Sequence, residues 1–64
     1  MTRMTAGDAI RTAQYLADHD HTDSDALTAT DLDTAADHAG ANRPATGHDR
    51  AVVRIALDTL RSAQ

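Results

Sequence analysis

A threonine followed three residues later by an aspartate recurs along this 64-residue chain, and this spacing constrains the fold most strongly. Such a threonine can cap a free backbone NH at the start of a helix, and the acid can bond back to the threonine NH. The pattern therefore predicts helix starts, with a set of oxygen ligands for a cation as the alternative. Copies of it include Thr5–Asp8, Thr22–Asp25, Thr28–Asp31, Thr30–Asp33 and Thr46–Asp49.

Apolar residues at the spacing of an amphipathic helix follow three of these starts. They predict helices from Ala6 to Asp18, from Thr30 to Ala39 and from Gly47 or His48 to Ser62. Gly40 stands where a left-handed residue commonly ends a helix. The expected fold is all-α, a small three-helix bundle that has room for a short extra helix between the first two. We expect it to form one small helical domain over residues 1–64.

Few large apolar side chains are available for the core of such a bundle. Fourteen alanines favour helix formation, but Tyr15 is the only aromatic residue and no cysteine is present to form a disulfide. The apolar positions of the last helix cover about 200° of its circumference, which is wider than one packed stripe needs. We therefore expect a homodimer or a stable protein partner, with Val53 and Leu57 in the contact surface.

Net charge narrows the choice of partner. The chain has ten aspartates, six arginines and neither lysine nor glutamate, which gives a net charge of −4 at pH 7. Phosphate backbones and anionic membranes repel such a chain, so nucleic acid is an unfavourable partner. No apolar stretch approaches the roughly 20 residues of a membrane span, and the first residues do not resemble a signal peptide. We expect a cytoplasmic protein that does not bind membranes.

Small residues at the end of the second helix raise an alternative function. They resemble the front half of a helix-turn-helix motif at Ala35, Ala36, Ala39, Gly40 and Ala41. The resemblance implies a compact DNA-binding regulator whose recognition helix begins near Arg43. Pro44 and Gly47 weaken a helix at that place. The basic residues that this alternative would use are Arg43, Arg50 and Arg54.

An acidic segment over residues 18–25 contains His19 and His21. Histidine and carboxylate groups bind zinc, and the alternating acids resemble the start of a calcium-binding loop. The glycine and glutamate of such a loop are absent, as is a zinc-ligand spacing, so we expect a solvated loop and leave metal binding open. Ser24 and Ser62 lie in this loop and at the chain end, where no oriented base accompanies them. We therefore expect neither enzyme activity nor a cofactor.

Arg11 and Tyr15 lie one turn apart on the polar side of the first predicted helix. Tyrosine and arginine are enriched at the energetic centres of protein interfaces, so both are candidate partner-binding residues. The expected function is a small non-enzymatic protein-interaction module. Its size, its acidity and an amino-acid composition typical of a GC-rich genome are compatible with a phage-encoded or accessory regulator that binds a host protein.

Overall fold

Three α-helices and one short 3₁₀ turn form the fold in a computed structural model that describes residues 3–63. Helix α1 spans Ala6–His19, the 3₁₀ turn spans Ser24–Ala26, α2 spans Ala29–Ala39 and α3 spans Gly47–Ser62. The all-α, three-helix prediction is confirmed, including a short element between the first two helices, and the predicted boundaries hold to within one residue. Within residues 3–63, no helix has the length and apolar character needed to cross a membrane.

The Thr-x-x-Asp spacing starts all three α-helices. Thr5 and Thr28 each accept the backbone NH of the aspartate three residues on, and that aspartate accepts the threonine NH. Thr46 accepts the NH of Asp49 in the same way, but the Asp49 carboxylate accepts the NH of Ala45 at 3.0 Å. The capping interpretation is therefore confirmed at these three places.

Two further copies of the spacing have another local structure. The NH of Thr22 donates to the Asp20 carboxylate at 2.7 Å, which shapes the loop after α1. Thr30 lies inside α2, so this helix starts one residue earlier than the predicted position. Gly40 ends α2 as predicted, in the left-handed conformation with φ of 70°.

Helices α1 and α3 run in the same direction, and α2 runs against them. At one end, the Arg61 guanidinium donates to the carbonyls of Asp20 and Thr22, just after α1, at 2.8 and 2.7 Å. At the other end, Asn42, just after α2, donates to Asp8 in the first turn of α1. Helix α1 contacts both other helices and contacts α3 most extensively.

The core lies where the three helices meet. Leu32, Val53 and Leu57 are fully buried, and small alanines of α1 allow close packing around them. The expectation that Val53 and Leu57 belong to a partner surface is therefore wrong. Helix α1 packs on the apolar side of α3 and covers both side chains, so the wide apolar arc serves mainly the fold.

The apolar spacing of α1 predicts that Ile10 faces the core and that Asp8 faces solvent. The helix is rotated from that orientation. Asp8 and Thr12 are buried, whereas Ile10 is 54% exposed. The Thr12 hydroxyl donates to the Asp8 carbonyl at 2.8 Å, so its burial leaves no polar atom unpaired. Tyr15 is half-buried against the core instead of pointing away from it, which corrects a further expectation.

Candidate interaction surface

One side of the bundle is formed by α1 and α3 and turned away from α2, and the outward positions of these two helices carry no aspartate and no arginine. We call it the α1/α3 face. With 100° of rotation per residue, the outward positions on this side can be read from the two helices. They are Ala6, Gly7, Ile10, Gln14 and Ala17 on α1, and His48, Ala51, Val52, Ile55, Thr59 and Ser62 on α3.

Both large apolar side chains that are well exposed among the described residues lie on the α1/α3 face. Ile10 is 54% exposed and Ile55 is 66% exposed. Val52 is half-buried between the two helices. A quarter of the chain is charged, so a broad face without Asp or Arg is a distinct property of this side. Such a face has a low desolvation cost when another surface covers it.

A groove of about 240 Å³ lies between the two helices, at the end of this face where α1 and α3 begin. Ala6 and Ala9 of α1 form one wall, and His48 and Val52 of α3 form the other. Arg3, Met4 and Thr5, just before α1, also line the groove, as does Asp49 in the first turn of α3. Asp49 is buried, and its carboxylate accepts the NH of Ala45. The groove establishes that the α1 and α3 parts of the face are continuous, since residues from both helices line one depression.

Tyr15 belongs to an aromatic cluster on the opposite side of α1, where α1 meets α2. Its ring lies 4.6 Å from the His19 ring and stacks on the His38 ring at 5.4 Å, measured between ring centroids. Arg11, one turn earlier, forms an ion pair with Asp8. The structure thus places these two predicted partner-binding residues near the α1–α2 contact, and their role in partner binding stays a prediction.

Asp8 anchors the first turn of α1 through several hydrogen bonds. The NH of Thr5 and the amide of Asn42 each donate to its carboxylate at 3.0 Å, and Arg11 also donates to it. Hydrogen bonding from the Thr5 backbone, together with that from Asn42 and the charge of Arg11, lowers the pKa of Asp8. The carboxylate is therefore held in its charged form by local structure.

The three arginines of the DNA-binding alternative are not brought together on one free face. Arg43 forms an ion pair with Asp37, which lowers the pKa of that carboxyl group. Arg54 donates to the carbonyls of Ser24 and Leu27 at 3.2 and 2.9 Å. The segment 41–46, in which the recognition helix would begin, is not helical.

Arg50 is half-buried near the start of α3. Arg54 and Asp58 lie one turn apart on α3, and both side chains bind the 3₁₀ turn instead of each other. Asp58 accepts the hydroxyl of Ser24 at 2.7 Å, on the same turn whose carbonyls Arg54 binds. These bonds join residues about 30 positions apart, so the spacing of residues within one helix does not predict them.

The acidic segment after α1 forms an open cleft next to the end of α3. Its volume is about 510 Å³, and Asp23, Asp25, Asp58 and Arg61 contribute to its walls. Hydrogen bonds from Thr22 lower the pKa of Asp20 at the edge of this segment. Within residues 3–63, no three His, Asp, Glu or Cys side chains lie close enough together to hold a metal ion.

Apolar spacing does not reveal the α1/α3 face, because it places Ile10 on the core side of α1. The absence of Asp and Arg at the outward positions of α1 and α3 was readable from the sequence and would have indicated this side. Comparison with protein-family models, with characterised proteins and with solved structures finds no significant match to this chain.

Proposed function

We propose that this chain is a small, non-enzymatic protein-interaction module that binds its partner through the α1/α3 face. The observation that carries the proposal is the position of Ile10 and Ile55, both exposed on the face whose outward helix positions have no Asp or Arg. The centres of protein interfaces are depleted of charged residues, and exposed apolar patches commonly mark binding sites.

The exposed area supports a contact of modest strength. Full burial of an isoleucine side chain contributes roughly 1.5–3 kcal/mol, and both side chains are more than half exposed here. Covering Ile10 and Ile55 together therefore contributes about 2–4 kcal/mol. The small residues around them add complementarity, because they allow a partner helix to approach closely.

Size and composition suggest the setting in which such a module acts. A phage-encoded or accessory regulator that works in the cytoplasm and binds a host protein is the form of the function that we favour. Arg11 and Tyr15 are a second contact region within this proposal, on the opposite side of α1. Tyr15 is already packed against two histidines, so we place the main contact on the α1/α3 face.

Site-specific photocrosslinking tests the proposal. A benzophenone amino acid replaces Ile10 or Ile55 in separate variants, and Thr30 on the exposed part of α2 serves as the matched control. The variants are produced in the source organism and irradiated. We expect discrete protein adducts from positions 10 and 55 and none from position 30. Equal yields at all three positions, or no adduct from positions 10 and 55, would overturn the proposal.

A further inference from the structure

We infer that the partner seated on the α1/α3 face is a second copy of this chain, which presents the same face and leaves the second contact region, at Arg11 and Tyr15, to a host protein. This inference rests on the proposed function and names the occupant of the same surface. The contact would be isologous, with Ile10 and Ile55 of each copy buried between two pairs of helices. The resulting dimer would be a four-helix layer with α2 on both outer sides.

The distribution of charge favours this arrangement of two copies. Residues 18–37 carry seven of the ten aspartates and no arginine, and they form the end of α1, the 3₁₀ turn, most of α2 and the loops between them. Since the whole chain has a net charge of −4, two copies repel each other when their acidic sides meet. Contact through the α1/α3 faces brings together helix positions that carry no Asp or Arg, with Arg3 and the buried Asp49 at the groove, and places the acidic α2 helices farthest apart.

The size of the face suits a reversible dimer. Helices of 14 and 16 residues are about 21 and 24 Å long, and neighbouring helix axes lie about 8–10 Å apart. A face of these dimensions buries on the order of 1,000 Å² in total when two copies meet, which is the lower end of specific interfaces. We therefore expect a dimer that dissociates at micromolar concentrations.

Sedimentation velocity over a wide concentration range is the first test. We expect the purified chain to pass from the 6.8 kDa monomer to twice that mass as its concentration rises. Ile10→Asp and Ile55→Asp should each raise the dissociation constant at least about tenfold. Thr30→Asp adds the same charge on α2 and should not raise it. A monomer at every concentration, or a dimer that both Ile variants leave intact, would overturn the inference.

Cysteine crosslinking gives a geometric readout that does not depend on the Asp variants. The chain has no cysteine of its own, so Ile10→Cys and Ile55→Cys each introduce a single thiol. Under mild oxidation, at least one of these variants should form a disulfide-linked dimer faster than the control Thr30→Cys. Circular dichroism checks that all variants retain their helices. Equal rates of oxidation at the three positions would contradict a dimer through this face.

Salt dependence separates this dimer from one held by ion pairs. Added salt screens the repulsion between two acidic copies and should strengthen dimerisation, whereas it would weaken contacts between opposite charges. Weaker association in high salt would overturn the inference. A chain that stays monomeric but gives adducts with another protein from positions 10 and 55 would also overturn it, while leaving the proposed function intact.

Discussion

The side-chain amide of Asn42 donates a hydrogen bond of 3.0 Å to the carboxylate of Asp8 and so fastens the segment after α2 to the start of α1. The same amide donates to the carbonyl of Arg3 at 3.3 Å. One side chain thus holds the first turn of α1, the chain before it and the connection to α3. This contact explains how a bundle with few large core residues fixes its helix ends.

Stability should fall in acid because of Asp8. Its pKa lies below the ordinary value of 3.8, as do those of Asp20 and Asp37, so their stabilising effect is complete above that value. It is lost as the pH falls through the lower pKa values of the folded state. We expect urea unfolding to show lower stability at pH 2.5 than at pH 6. Asp8→Asn should reduce this difference, and an unchanged difference would contradict the role of Asp8.

Truncation of Leu57 should lower the stability of the fold strongly, whereas truncation of Ile55 should hardly change it. Leu57→Ala removes a fully buried side chain and should lower the free energy of unfolding by about 2–5 kcal/mol. Ile55→Ala removes an exposed side chain and should change it by less than about 0.5 kcal/mol at concentrations below those at which we expect dimers. Urea unfolding followed by circular dichroism measures both values, and similar losses for the two variants would contradict the core assignment.

The helices were predictable because their signals are local. Thr5, Thr46 and Gly40 act through residues within one turn, so their roles follow from spacing alone. The rotation of α1 was not predictable in this way. Asp8 has the polarity of a surface residue, and its burial depends on Asn42, which is 34 positions away.

The candidate surface was only partly predictable for the same reason. The sequence shows the wide apolar arc of α3, but it does not say which part of that arc α1 covers. Packing buries Val53 and Leu57 and leaves Ile55 exposed. The choice between these neighbours depends on the tertiary arrangement of the helices, and periodicity does not contain that information.

Arg54 should restrain the 3₁₀ turn rather than the helices. Arg54→Ala removes the bonds to the carbonyls of Ser24 and Leu27, which hold this turn against α3. We expect amide hydrogen exchange over residues 22–28 to become about tenfold faster, with little change in helix content. Arg50→Ala, one turn earlier on α3, is the control and should leave exchange in this segment unchanged. Equal effects of the two variants would show that Arg54 is not specific in this role.

Thr28 and Thr30 offer a direct test of which threonine caps α2. Thr28→Ala removes the hydroxyl that accepts the NH of Asp31 and should lower the free energy of unfolding by about 1 kcal/mol. Thr30→Ala lies within the helix, where alanine is the better helix former, and should be neutral or slightly stabilising. Thermal unfolding of the two variants distinguishes them. A larger loss for Thr30→Ala would mean that α2 starts at the later position.

Gly40 and Gly47 should show opposite effects when replaced by alanine. Gly40 ends α2 with φ of 70°, a conformation that costs a residue with a Cβ atom roughly 1–2 kcal/mol, so Gly40→Ala should destabilise the fold. Gly47 has no such backbone angle, and a Cβ there would meet no neighbour within 4 Å. Because alanine also restricts the unfolded chain, Gly47→Ala should stabilise the fold by about 0.5–1 kcal/mol. Urea unfolding of both variants tests the pair, and destabilisation by both would place strain at the start of α3 that its backbone geometry does not indicate.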